Sequence, residues 1–195
     1  SHTTPDPITL HAMLAEAAAA GVTHAAMEAS SHGLDQRRMD GVRLKAAGFT
    51  NLTQDHLDYH HTMEAYAEAK AGLFTRLLPE DGVAVVNLNG AHGAEVLAMA
   101  EERGLKTLSI GRDPLADLRI MGQRYDATGQ DLRFDWQGEP FQLHLNLVGG
   151  FQAENVLVAA GLGLAWRRRQ AARLEHLSFR DLYLFGLGTH VITPG

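Results

Sequence analysis

Two polar clusters bring together residue types that can hold a cation, an anion or both. The first is Glu28, Ser30, His32, Gln36 and Arg38; the second is Asn51, Asp55, His56, Asp58, His60 and His61. A carboxylate and an imidazole on neighbouring loops could share a divalent ion, and an oxygen-rich set with one imidazole suits magnesium or manganese better than zinc. The same groups could instead cap helices and satisfy loop backbone. Zinc chemistry is disfavoured, because the chain has no His-Glu-x-x-His stretch and no cysteine. Lys70 poses a separate choice. It is either a solvated helix lysine, or a lysine whose neutral amine adds carbon dioxide to become a carbamate, turning a cation into an anion. The second needs a depressed pKa, through desolvation or nearby cations, and composition gives no sign of one.

The elements that must position these residues follow from hydrophobic pattern. Asp6, Pro7 and Gly21 bracket a helix over Ile8–Ala20. Val22–Met27 and Ala46–Leu52 are short apolar runs ending in the two polar loops, as buried strands would. Thr62–Leu77 carries Met63, Tyr66, Ala67, Leu73, Phe74 and Leu77 largely on one stripe and is expected to be helical. Strand Val83–Asn87, helix Ala91–Arg103 and strand Lys106–Gly111 continue the alternation, which implies a mostly parallel sheet flanked by helices. Leu118–Tyr125, Asp131–Trp136 and Phe141–Leu147, separated by turn-like tetrapeptides, are expected to form a small antiparallel meander before a helix over Phe151–Trp166. In such an α/β sheet, ligands sit beyond the carboxyl ends of the strands, where both polar loops fall.

Composition bounds the alternatives. At 195 residues and 45% hydrophobic content there is room for one well-cored domain. A net charge of -6 argues against a general nucleic-acid or anionic-membrane binder. No apolar run approaches the roughly 18 residues of a membrane span, and the absence of cysteine fits a reducing cytoplasm. A monomer is expected.

Thr3-Thr4-Pro5-Asp6, the run Met27-Glu28-Ala29-Ser30-Ser31-His32-Gly33-Leu34-Asp35-Gln36 with Arg38, and the run Phe49 to His60 (FTNLTQDHLDYH) together resemble the Mur ligases; Tyr66 and Ala69-Lys70-Ala71-Gly72-Leu73-Phe74 extend the likeness. It covers about residues 3–165, and blocks this long and polar are far more specific than a lone glycine motif. The resemblance implies an ATP-dependent amide-bond ligase of peptidoglycan precursor synthesis. ATP would convert a carboxylate to an acyl phosphate, which an amine then attacks. Within the family the chain looks most like the branch that adds the third amino acid, with diaminopimelate expected, to UDP-N-acetylmuramoyl-L-alanyl-D-glutamate. The resemblance further implies that Thr3, Thr4, Ser30, Gln36 and Arg38 contact the UDP-muramoyl dipeptide, and that Glu28 and His56 hold magnesium. Lys70 would be the carbamoylated lysine that helps place metal and phosphate, and Asn87 and Asn155 would lie at the nucleotide. Other ligases of the superfamily, such as a folylpolyglutamate synthase, and a non-catalytic sugar-nucleotide-binding remnant are the alternatives.

Three departures qualify the match. No Gly-x-x-x-x-Gly-Lys-Ser/Thr stretch occurs in these residues, so ATP binding by them alone should be weak and the chain alone inactive. Where the family carries acidic residues after its Asn-Leu pair, this chain has Asn89-Gly90, leaving Asn87 or Asn89 as the nucleotide contact; Asn87, ending a strand, is preferred. The likeness stops near Ala165. Residues 1–165 are therefore expected to be an incomplete central, ATP-binding domain, and 166–195 an atypical tail of a truncated or frameshifted product.

Overall fold

The computed structural model describes residues 3–51 and 62–170, the last five of them by backbone alone. His56 and the rest of its loop, with most of the expected tail, lie outside the described residues. The described chain forms two compact units, residues 3–44 with 62–79, and residues 45–51 with 80–170.

The first unit is built from helices and a loop. Helix α1 (Pro7–Ala19) starts at Asp6, whose carboxylate accepts from Thr9 N at 3.0 Å and Thr9 Oγ1 at 2.6 Å. Those bonds hold the Asp6 carboxyl below its ordinary range. Gly21 follows at φ +83°, a left-handed conformation that glycine adopts without a Cβ penalty. Of α1, only Leu10 is buried. Helix α2 (Ser31–Asp35) is capped by Ser30, and helix α3 (Met63–Gly72) by Thr62. The last turn of the expected Thr62–Leu77 helix widens into a π-helical turn, Leu73–Leu77, closed by Leu78 N donating to Leu73 O at 2.9 Å. α2 packs on α3, and Leu34, Met39, Tyr66, Phe74 and Leu78 are the buried side chains of this unit that carry most volume.

One expectation fails here. Val22–Met27 has no ladder partner among the described residues and is not a strand; it passes from half-buried to exposed, with Met27 37% exposed. An apolar run becomes a strand only where a neighbour takes its backbone N–H and C=O groups.

The second unit is a six-stranded sheet in sequential order: β1 (Ala46–Phe49), β2 (Val83–Asn87), β3 (Lys106–Gly111), β4 (Leu118–Tyr125), β5 (Gln130–Trp136) and β6 (Glu139–Leu145). β1 to β4 pair in parallel, the last step over two residue pairs only, and β4, β5 and β6 form the antiparallel meander. The β5–β6 turn uses Gln137 at φ 56° and Gly138 at φ 82°, the doubly positive turn whose twist suits a hairpin. Helix α4 (Gly93–Glu102) packs on β2 and β3, and helix α5 (Phe151–Gln170) packs across β1, β2 and β3. Burial on both faces makes β2 apolar throughout its first four residues, with Val85, Val86 and Ala84 fully inaccessible. A Cβ on Gly161 would lie 2.7 Å from Val85 and 3.0 Å from Leu108, so glycine there lets α5 approach the sheet closely. No helix of the described residues is long and apolar enough to cross a membrane.

Candidate functional site

In the first unit the polar cluster is organised around one buried hydroxyl. Thr4 is 1% exposed. Its Oγ1 donates to Glu28 O at 2.9 Å and accepts from Ser30 N at 3.0 Å and Ser30 Oγ at 2.9 Å. Ser30 Oγ in turn accepts from Gly33 N at 3.1 Å, starting α2. The backbone of Thr4 is held as well: Arg38 Nη1 donates to Thr4 O at 2.9 Å. Gly33 must be small, because a Cβ there would meet the Thr4 side chain at 2.7 Å. Gln36 fixes the other side of the guanidinium, its Oε1 accepting from Arg38 Nε at 3.0 Å and Nη2 at 2.5 Å. Arg37, at φ 54°, turns the chain between them. From the π-helical turn, Arg76 donates to Leu34 O at 3.2 Å and pairs with the Asp40 carboxylate, closing the loop from outside.

Thr4, Ser30, Gln36 and Arg38 are thus brought together, and Thr3 is exposed beside them. Ser31, not among the expected site residues, is also buried, and its Oγ has no hydrogen-bond partner among the described residues. Glu28 presents an exposed side chain from the same loop.

Lys70 lies half-buried on α3, its Nζ 6.0 Å from the centre of the buried Tyr66 ring. Burial holds its ammonium below the ordinary lysine value, and the negative charge of Glu28 pulls it only partly back. The desolvation that a lysine carbamate requires, invisible in composition, is therefore present in the fold. Among the described residues no three histidines, aspartates or glutamates converge. A cation site here would draw on Glu28 and a modified Lys70, with His56 outside the described residues.

The second unit has its own polar group at the carboxyl ends of β1, β2 and β3. Asn87 is 1% exposed; its Nδ2 donates to Thr50 O at 2.8 Å and to Glu154 Oε2 at 3.0 Å. Its Oδ1 accepts from Asn89 N at 3.1 Å. Asn89 is exposed; its Nδ2 donates to Glu154 Oε1 at 2.9 Å, and its Oδ1 accepts from Arg112 N at 2.9 Å. Asn155 follows Glu154 on α5 and is half-buried. Glu154 went unnoticed in the sequence, since a glutamate in the first turn of a helix is an ordinary helix-dipole residue. The one hint was the lack of an acidic residue at Asn89-Gly90; Glu154 brings a carboxylate to Asn89 from α5.

A mostly parallel strand-helix sheet with a cluster of amide and acid side chains at its carboxyl edge is the arrangement in which α/β domains place their ligand sites. The Mur ligase middle-domain model matches residues 1–163, and the chain belongs to that family. It is 50% identical over 175 residues to the UDP-N-acetylmuramoyl-L-alanyl-D-glutamate--2,6-diaminopimelate ligase of Caulobacter vibrioides, covering 90% of this chain and 36% of that protein. The protein of the same name from Bradyrhizobium diazoefficiens is 46% identical over 183 residues, covering 91% and 38%. The chain thus spans little more than a third of the length of these relatives. A solved structure of a ligase of that name aligns with a TM-score of 0.73 at 39% identity, over 82% of this chain and 33% of that one. MurF from Acinetobacter baumannii, at 21% identity and a TM-score of 0.56 over 64% of this chain and 26% of that one, shares the fold.

Proposed function

We propose that the chain is the central part of an ATP-dependent ligase that joins a diamino acid, meso-diaminopimelate, to the D-glutamate carboxylate of UDP-N-acetylmuramoyl-L-alanyl-D-glutamate in the cytoplasm. The observation that carries this reading is a partly desolvated Lys70 that feels the charge of Glu28, on a helix packed against the one that Ser30 starts. That placement fits a site for magnesium and transferred phosphate, and the relatives' names supply the reaction.

Each residue has a part that its geometry suits. Thr3, Ser30, Gln36 and Arg38 form the rim for the UDP-muramoyl dipeptide, Arg38 supplying a cation that Gln36 and Thr4 O hold in plane. Thr4 acts through the loop, its hydroxyl already committed to Glu28 and Ser30. Glu28, a carbamoylated Lys70 and His56 would hold magnesium, which when bound offsets the negative charge gathered on the phosphates and the acyl phosphate oxygens. Lys70 is suited to carbamoylation because burial favours its neutral amine, the form that adds carbon dioxide. Asn155 keeps its expected place at the nucleotide, and Asn89 takes the one expected of Asn87, which is buried with its carboxamide committed to Thr50, Glu154 and Asn89 and so stands behind them.

The test is carbon-13 NMR of the chain in labelled bicarbonate. A carbamate carbon signal that disappears in Lys70→Ala is expected; its absence from the unsubstituted protein at mildly alkaline pH overturns the role given to Lys70. Because these 195 residues hold no glycine-rich phosphate loop, no ligation by them alone is expected. ATP-dependent amide formation by the purified chain would refute that. The non-catalytic reading predicts calorimetric binding of UDP-muramoyl dipeptide that magnesium and ATP leave unchanged.

A further inference from the structure

We propose that Glu154 is the positioning residue of the nucleotide-facing edge. It sets the two asparagine carboxamides of the β2 end and, through them, the backbone of the loops after β2 and β3. The inference rests on the nucleotide reading of this edge and adds to it a residue that does not itself touch the nucleotide.

The hydrogen-bond inventory makes the case. A carboxylate only accepts, and a carboxamide nitrogen only donates. Glu154 gives one oxygen to Asn87 Nδ2 and the other to Asn89 Nδ2. With its nitrogens held there, each carboxamide must point its oxygen the opposite way. Asn87 Oδ1 then meets Asn89 N, and Asn89 Oδ1 meets Arg112 N. The second hydrogen on Asn87 Nδ2 goes to Thr50 O, just past β1. One side chain on α5 thereby ties together the ends of β1, β2 and β3, reinforced where Leu88 N donates to Ile110 O at 2.7 Å.

The alternative rotamer, with either amide flipped, would place a carbonyl oxygen against the carboxylate and an amino group against a backbone N–H. That mismatch costs two hydrogen bonds at Asn89 and three at Asn87. Glu154 therefore decides which face of Asn89, the exposed member, is left for a ligand. Its Oδ1 accepts from Arg112 N, so the Nδ2 hydrogen that no described residue takes is the group it can offer, a donor suited to a ring nitrogen or carbonyl acceptor of a base. A neutral glutamine at 154 could accept from only one of the two amides and would confront the other with its own amino group.

Hydrogen exchange by NMR on the full 195-residue chain, with Glu154→Gln and Glu154→Ala, tests this. Protection of the Asn89 and Arg112 backbone N–H groups and of the Asn87 side-chain amide should fall about tenfold or more, while that of Leu132 and Phe134 in β5 stays unchanged. Glu154→Asp, keeping the charge on a shorter stem, should restore part of it. Unchanged protection at Asn89 and Arg112 overturns the proposal, as does an equal fall across the whole second unit, which would make Glu154 a general packing residue. In parallel, AMP is titrated into each protein. Weaker AMP binding in Glu154→Gln, with the Asn89 side-chain resonance no longer responding, is the expected result. An AMP affinity unaltered by a variant whose Asn89 and Arg112 protection has collapsed overturns the link to the nucleotide. If the unsubstituted chain binds no AMP, the nucleotide reading of this edge fails, and the exchange pattern alone upholds or overturns Glu154 as the residue that orients the asparagines.

Discussion

The two units solve the same problem, holding a polar loop in one shape, by different means. In the second unit a sheet does most of the work: the loops after β1, β2 and β3 are already fixed at their bases by ladder hydrogen bonds, and Glu154 and Asn87 complete the pattern between them. In the first unit the segment leading to Glu28 has no ladder among the described residues. There a single buried threonine hydroxyl, making three hydrogen bonds, does what a neighbouring strand would do. Where backbone supplies the geometry, side chains can be spent on a ligand; where it does not, a side chain that looks like a ligand contact is used as scaffolding.

The largest effect expected from breaking this contrast is at Asn87. Asn87→Leu removes three hydrogen bonds from a buried position and leaves the Glu154 carboxylate short of a donor. A loss of about 3 kcal/mol in urea-induced unfolding of the second unit is expected. Thr4→Val keeps shape and removes only the hydroxyl. About 2 kcal/mol should be lost, with faster hydrogen exchange concentrated in residues 28–38; an exchange pattern unaltered there would mean that the loop holds itself.

Lys70→Met sharpens the comparison through pH. The folded-state pKa of Lys70 is lowered from 10.5, so between that lowered value and 10.5 the unfolded chain binds more protons than the folded one. Stability of the unsubstituted protein should therefore rise with pH across that window, once the fall common to other groups is subtracted, and the variant should lack the rise. Denaturation midpoints of the two proteins measured side by side across that range decide it. The smallest effect belongs to the meander. His144 Nδ1 lies 2.8 Å from Asp131 Oδ1, and that bond, then the nearby charge of Asp126, raises the His144 pKa above 6.5. Its contribution is fully present below 6.5 and is lost as pH rises through the raised value, so His144→Gln should flatten a shallow decline in stability above 6.5. Because the pair is exposed, only a small change in midpoint is expected.

What could be read in advance depended on whether a residue's task was local. β2 and β3 match their expected bounds, because a continuous apolar run closed by turn residues leaves little choice. The same kind of run at Val22–Met27 misled, since pattern records a tendency to be buried and not the presence of a partner. β1 stopped at Phe49, before the expected Leu52, where the Thr50 carbonyl turns to Asn87. Ser30, Gln36 and Arg38 were legible as a cluster because they lie within nine residues of one another and meet in space. Glu154 was not, since its partner Asn87 is 67 positions away and nothing near either residue marks the pairing. The depressed pKa of Lys70 was likewise out of reach, because desolvation is a property of the neighbours that folding delivers.

Gly161 has a consequence for that distant pairing. It lies seven residues beyond Glu154 on α5, two turns of helix and so the same face. The absent methyl group that lets α5 settle onto Val85 and Leu108 therefore also sets how far the glutamate must reach. Glycine works as a spacer gauge: an alanine at 161 would lift the helix by a few tenths of an ångström and stretch two hydrogen bonds two turns away, detuning a ligand edge without changing any residue in it.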